Sequence, residues 1–153
     1  MRNIAVIGAG GVGSLVGGLL TEAGHKVTLI DLWPPHVDFL KTHNLYLRTT
    51  SREHQVKVDI FHIHEVAGLH QQFDIIFCAV NAYDAHWAIT MLKPMLKSDG
   101  WVVPLHDGMV EEEIAQVVGR ERVLGVVTDR LGVYLQVPGY AIRYLSADHP
   151  IRR

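Results

Sequence analysis

One cysteine, Cys78, occurs in 153 residues, so no disulfide framework can form. A chain without disulfides suits a reducing compartment, and a cytoplasmic location is expected. Cys78 lies inside the apolar run IIFCAV and reads as a buried, reduced thiol instead of a nucleophile. Net charge is also scarce: the formal value is −2 with no long run of like charge. That removes the electrostatic case for nucleic acid or an anionic membrane surface and leaves small molecules as the expected partners. The apolar stretch after Arg2 could imitate a signal peptide, but the six glycines from Gly8 to Gly18 argue against a membrane helix. Histidine is plentiful, with ten residues, yet only His62 and His64 stand at a spacing that would share a strand face, and no Cys, Asp or Glu completes a ligand set. No metal site is expected, and most of the histidines are expected in solvent.

The positive signal is Ile4 to Gly24, IAVIGAGGVGSLVGGLLTEAG. Ile4 to Ile7 make an apolar run of the length of a buried parallel strand, and Gly8, Gly10 and Gly13 follow in G-x-G-x-x-G spacing. Gly8 allows the tight turn, Gly10 lets backbone approach a pyrophosphate, and Gly13 lets the next helix pack closely. The loop Gly8, Ala9, Gly10, Gly11, Val12, Gly13 is therefore the candidate phosphate cradle, where free N–H groups and the helix dipole favour an anion. A helix is expected from about Gly11 to Ala23 with Gly24 past its end, then a strand, HKVTLI, ending at Asp31. An acid there accepts hydrogen bonds from an adenosine ribose; the alternative is that Asp31 caps the following helix. Trp33 lies near the adenine end of such a ligand or covers the sheet edge.

Strands and helices alternate through the rest. Pro34 and Pro35 open a helix running to His43, and Leu45 to Arg48 and Val56 to Phe61 flank the polar TTSREHQ as a hairpin or two short strands. Asp74 to Val80 is a strand covered on both faces. A helix over Ala82 to Leu96, closed by KSDG, precedes a strand over Trp101 to Leu105. Glu111 to Glu113 occupy the first turn of a helix over 110 to 118, where the dipole favours acids, so they read as structural. Arg122 to Thr128 reads as a strand, and Leu131 to Gln136 with Tyr140 to Leu145 as a hairpin around Pro138 and Gly139. The fold expected is α/β, a doubly wound, mostly parallel sheet of the Rossmann dinucleotide-binding type with a C-terminal β-hairpin. Residues 1 to 145 form one domain, large enough to bury roughly 68 to 70% of its unfolded surface, and 146 to 153 a tail. Gly8 to Gly13, Asp31, Asn81 to Asp84 and His106 to Gly108 fall at carboxyl ends of strands and are expected to meet in one cleft.

Taken together, IAVIGAGGVGSLVGGLLTEAGHKVTLI, HVDFLKTHNLYLR, CAVNAYD, LHDGMVEEEIAQVVGRERVLGVV and VPGYAIR resemble the N-terminal domain of the ketopantoate reductase (2-dehydropantoate 2-reductase) family. The resemblance implies hydride transfer from NADPH to a 2-keto acid such as 2-dehydropantoate, in pantothenate biosynthesis, and adds Val80, Asn81, His106 and Asp107 to the candidate cofactor-binding residues. Asn81 stands where the family usually has lysine, and Asp107 where it has asparagine, so no catalytic residue is identified. An ionised Asp107 only accepts hydrogen bonds and would repel an anionic keto acid. Family members continue into a helical domain that supplies a catalytic lysine, and this sequence stops just after the hairpin, so full catalysis is expected to need a further chain.

Two classes of function follow: an NAD(P)-dependent oxidoreductase domain, or a dinucleotide-binding or regulatory module that has lost the chemistry. Because Asp31 is an acid with no nearby arginine, NAD is the expected cofactor, with NADP second. The apolar surface that a second domain would cover predicts a homo-oligomer, most simply a dimer, with the Leu131 to Leu145 hairpin at or near the contact.

Overall fold

The computed structural model describes residues 1–128 and 131–144. Its frame is a five-stranded, wholly parallel sheet of β1 (Asn3–Ile7), β2 (Lys26–Asp31), β5 (Asp59–His62), β6 (Phe73–Cys78) and β7 (Leu96–Pro104), in the order β5-β2-β1-β6-β7. The chain winds outward from β1 in one direction through β2 and β5, then in the other through β6 and β7. A crevice therefore opens at the carboxyl ends of β1 and β6, where the order reverses.

Alternation along β1 divides the interior. Ala5 and Ile7 join a core with Ile76, Ile89 and Ile114, under α3 (Ala85–Leu92) and α4 (Glu111–Val118). Ile4 and Val6 join a second core with Leu15, Leu29 and Leu47, under α1 (Gly11–Glu22) and α2 (Pro34–Thr42). Each of these Leu, Ile and Val side chains contributes roughly 1.5–3 kcal/mol by leaving water. Cys78 is wholly buried and burial pushes its thiol up to about 12, which agrees with an inert residue.

A smaller sheet, β4-β3-β9-β8, packs on the far side of α1. It comprises β3 (Leu45–Arg48), β4 (Glu53–Val56), β8 (Val133–Val137) and β9 (Tyr140–Arg143). The two sheets clasp α1 between them. A Cβ on Gly17 would overlap the Leu29 side chain, and one on Gly18 would lie 2.7 Å from Leu47 Cδ1. That close fit explains a helix with few large side chains.

Several expectations are corrected. The Val56 to Phe61 segment belongs to two strands: β4 pairs antiparallel with β3, and β5 joins the main sheet beside β2. The expected 82–96 helix is shorter, since Ala82–Asp84 and Lys93–Met95 are 3₁₀ turns around α3, the second built on Pro94, which cannot continue an α-helix. KSDG does not precede β7 but lies inside it, accommodated by a register shift between Phe73 and Ile75. Residues 122 to 128 form no strand; a single bridge joins Val102 and Val123. The β8–β9 hairpin is present, whereas Leu145 and the expected tail 146 to 153 lie outside the described residues. Nor are most histidines in solvent: among the described residues His36 and His62 are buried, His25, His54 and His106 half-buried, and His43, His64, His70 and His86 exposed.

Asp74 ties β6 to its neighbours by accepting from Lys97 Nζ at 2.6 Å and from the Asn3 amide at 2.7 Å. The Lys97 contact first, and then the Asn3 bond, hold its carboxyl below the usual range. An acid with a lowered folded pKa stabilises the fold above its unfolded value, about 3.9, and loses that contribution as pH falls through the folded value. Thermal melts of the native chain and Asp74→Asn should differ at pH 7 and converge as pH falls through the lowered folded value. A constant difference across that range would contradict the assignment.

Candidate functional site

The glycine motif forms a sharp turn from β1 into α1. Gly8 has φ +90°, a conformation that side chains avoid. A Cβ there would also stand 2.7 Å from the Ala79 and Val80 backbone, so the residue permits both the turn and the approach of the β6 end. A Cβ on Gly13 would overlap the Gly8 carbonyl oxygen outright and lie 3.3 Å from Ala79 Cβ, so α1 rests on the loop itself. Gly10 is different, because a Cβ there would meet nothing within 4 Å. Gly10 faces open space.

The first bond within α1 runs from the Ser14 amide to Gly10 O at 2.9 Å, so the amides of Gly11, Val12 and Gly13 have no acceptor in their own helix. Their dipoles converge at the positive end of α1. Asp31, at the end of β2, braces the loop: Oδ2 accepts from the Ala9 amide at 2.6 Å and Oδ1 from the Trp33 amide at 2.8 Å. The residue before α2 is Trp33, with no side-chain cap, so Asp31 does not cap that helix directly. Trp33 is 40% exposed and stacks on His36 at 6.0 Å, outside the cleft lining.

A cleft of about 260 Å³ is lined by Gly8, Gly10, Asp31, Val80 and Asn81, all named from sequence. Ile7, Ile30 and Ala79 at the strand ends, with Leu32, Ile63, Asp84 and Trp87, complete its lining. It sits beyond the carboxyl ends of β1, β2, β5 and β6. Ala9, Gly11, Val12 and Gly13, also named from sequence, do not line the cleft but continue the loop and α1 behind Gly10, with Ala9 fully buried and a Cβ on Gly11 excluded by the Val133 backbone at 2.8 Å. Ile63 and Trp87 were not identified from sequence. Trp87 reads as a core residue of a helix, but it lies one turn after the β6 loop, and its Nε1 donates to Asp84 Oδ1 at 2.7 Å, holding the indole at the cleft.

The remaining candidates lie beside the cleft. Asn81 Nδ2 donates to Tyr83 Oη at 2.7 Å. His106 Nε2 donates to Val80 O at 2.7 Å, bracing the wall, and its buried Nδ1 has no partner among the described residues. Asp107 is exposed and its Oδ1 accepts from Thr128 Oγ1 at 2.7 Å. Neither His106 nor Asp107 lines the cleft. His62 Nε2 meets Asp38 Oδ1 at 3.0 Å and its ring stacks on His64 at 5.0 Å, but no group of three metal-binding side chains occurs among the described residues.

A larger groove of about 790 Å³ shares Ile63 with this cleft and runs between the Ile63–Gly68 3₁₀ turn and the end of α3. Its lining includes no Asp, Glu, Lys or Arg and no α-helix N-terminus, so size alone does not make it the better site for an anion. The smaller cleft suits the phosphate and ribose chemistry of a dinucleotide: open space at Gly10, amides without an acceptor in their own helix and a carboxylate on the second strand. Among the described residues, no helix is long and apolar enough to cross a membrane.

A family model described as ketopantoate reductase PanE/ApbA matches residues 4–146. A 2-dehydropantoate 2-reductase of Pyrococcus horikoshii is 29% identical over 136 residues, which cover 89% of this chain and 42% of the relative. The crystal structure of a PanE/ApbA family ketopantoate reductase from Ralstonia eutropha JMP134 matches with a TM-score of 0.81 at 30% identity, over 93% of this chain and 46% of that one. The ternary structure of D-mandelate dehydrogenase with NADH and anilino(oxo)acetate matches with a TM-score of 0.83 at 27% identity, over 94% of this chain and 46% of that one. The chain spans about two fifths of the length of the curated relatives it matches.

Proposed function

We propose that this chain, which belongs to the ketopantoate reductase PanE/ApbA family, is the dinucleotide-binding part of a nicotinamide-dependent oxidoreductase acting on a 2-keto acid, with NADH preferred to NADPH. One observation carries the reading: the Gly8 to Gly13 loop opens at Gly10 into a cleft that also presents Asp31, at the switch point of a parallel sheet. The amides of Gly11, Val12 and Gly13 would hold the pyrophosphate charge, and Asp31 the ribose hydroxyls. Trp87, Leu32 and Ile63 would shield the ligand from water. A bound nicotinamide would supply the hydride. Val80 and Asn81 would flank its ring, with His106 keeping the Val80 carbonyl in place. Asn81 carries no charge and Asp107 is a carboxylate, so a keto acid's negative charge and the proton for its alcohol product would be served by other groups, in a further domain or chain.

The family relationship and the NADH-bound relative support this reading. Titration of NADH and NADPH, followed by 2-keto acid turnover, tests it; absence of dinucleotide binding by the folded chain would refute it. The second reading, a binding or regulatory module, draws on the engagement of Asn81 with Tyr83 and of Asp107 with Thr128, and predicts binding without turnover.

A homodimer belongs to the same proposal. Tyr134, Val137 and Tyr144 are exposed on or beside the β8–β9 hairpin, and apolar surface of that kind tends to be covered. Light scattering at tens of micromolar, roughly the range set by ordinary micromolar association, should give twice the chain mass; a monomer would count against the proposal.

A further inference from the structure

His36 is buried completely, on the inner face of α2, and three separate elements meet at its ring. The Gly139 amide, in the turn between β8 and β9, donates to Nδ1 at 3.0 Å. Nδ1 must therefore carry a lone pair, and the proton of the neutral ring resides on Nε2. Nε2 faces Ser14 Oγ at 3.4 Å, a long contact, and Ser14 Oγ donates its only proton to Ala9 O at 2.7 Å. Ser14 can then only accept from His36. Both ends of the imidazole demand the same tautomer.

The bonds form a one-way relay: Gly139 N–H to His36, His36 to Ser14, Ser14 to the Ala9 carbonyl. In such a chain each bond polarises the next. Its last member is the peptide joining Ala9 to Gly10. That unit is planar and trans, so gripping its carbonyl also fixes the direction of the Gly10 N–H on its opposite side. Asp31 holds the preceding peptide by the Ala9 N–H. The hairpin end is equally constrained: Gly139 O accepts from the Tyr46 amide at 2.8 Å, and a Cβ on Gly139 would overlap the Phe39 ring of α2.

We propose that His36 is a positioning residue for the phosphate-binding loop, transmitting the placement of the β8–β9 turn through Ser14 to the Ala9–Gly10 peptide. This rests on the dinucleotide reading of the loop. It also predicts a pH response. Protonation would place an Nδ1–H against the Gly139 N–H and break the first link. The charged group acting on the ring is Asp31; the Ala9 backbone of the loop, which also acts on the ring directly, Ser14 from α1, Trp33 beside α2 and Gly139 from the hairpin face it without charge. Burial, outweighing Asp31 and the Ala9 backbone, keeps the imidazole below its usual value, so the relay is intact at neutral pH.

Three measurements test this on the full chain. Nitrogen NMR of the native protein should report the Nε2–H tautomer at pH 7; an Nδ1–H tautomer overturns the relay. Hydrogen exchange should show the Gly139 amide, which loses its acceptor, exchanging about tenfold faster in His36→Leu, in line with loss of one buried hydrogen bond, and the Ala9 amide of the loop faster with it; unchanged rates overturn the proposal. NADH affinity should fall about tenfold in His36→Leu and stay within about threefold of native in His36→Gln, whose carboxamide can accept from Gly139 and donate to Ser14. Equal affinities in the two variants contradict a positioning role. If His36→Leu does not fold, the native tautomer and His36→Gln decide. If the native chain binds no NADH, the dinucleotide reading fails, while tautomer and exchange still decide the link between hairpin and loop.

Discussion

Gly10→Val should abolish most dinucleotide binding while leaving the fold standing, and Gly13→Ala should do the reverse damage first. The two glycines sit three residues apart in one motif, yet a Cβ on Gly10 meets open space and a Cβ on Gly13 overlaps the Gly8 carbonyl. In Gly13→Ala either the loop or α1 must move. Overpacking against backbone costs about 3 kcal/mol, at the upper end of the usual range. For a chain of this size that is a loss of roughly 10 °C in Tm. Gly10→Val meets no such obstacle; its expected cost is about 1 kcal/mol, because Gly10 precedes α1 and valine is a poor residue at that boundary. Its effect should appear in binding. A branched side chain beside the amides of Gly11 to Gly13 would displace a phosphate from one or two charged hydrogen bonds, each about 1.5–3 kcal/mol, or about a hundredfold in Kd. Thermal melts and calorimetric titration of NADH on the two variants separate the effects. An unchanged NADH affinity in Gly10→Val would exclude the loop as the phosphate site.

The same contrast indicates what the sequence carries by itself. The β1, α1, β2 unit was legible because its constraints are local: an apolar run, three spaced glycines and an acid are contiguous requirements of one turn. Where partners come from distant segments, local pattern misled. The polar Glu53–Val56 stretch is a strand because Leu45–Arg48 offers it an edge in register, not because its residues favour one. KSDG has turn chemistry but lies within β7, because Leu96 pairs with Phe73 before the register shifts to Trp101 and Ile75. Residues 122 to 128 are apolar enough for a strand, yet Leu124 and Val127 are exposed and only Val123 bridges to Val102. The site follows the same division. Gly8, Gly10, Asp31, Val80 and Asn81 were readable as strand ends, whereas Ile63 and Trp87 reach the cleft only through the packing of β5 and α3 on the sheet. His36 carried no signal at all: its partners, Ser14 and Gly139, lie 22 and 103 residues away in sequence.

The proposed preference for NADH turns on Asp31, and the hydrogen bonds of its carboxylate alter how that preference must be measured. An acid at the end of the second strand accepts from a free ribose diol and repels a 2′-phosphate. No lysine or arginine lines the cleft among the described residues, and Lys41, the next lysine or arginine in sequence, is paired with Glu65 at 2.8 Å. NADH should bind more tightly than NADPH by about 1–3 kcal/mol, roughly five- to 150-fold in Kd. Asp31 also holds the loop, however, through the Ala9 amide, while its other oxygen accepts from the Trp33 amide before α2. Asp31→Ala leaves the Ala9 amide without its acceptor, at a cost of about 1–3 kcal/mol, so both cofactors should bind more weakly even if the carboxylate never touches ribose. Neither Kd alone therefore identifies the ribose contact. The ratio of the two does, since loop disorder weakens NADH and NADPH alike, whereas loss of the charge relieves NADPH only. Calorimetric titration should show a native ratio above about five that falls towards one in Asp31→Ala, the NADH arm losing at least about tenfold in affinity. A native ratio near one, or a ratio that survives the substitution, would assign Asp31 to the loop alone.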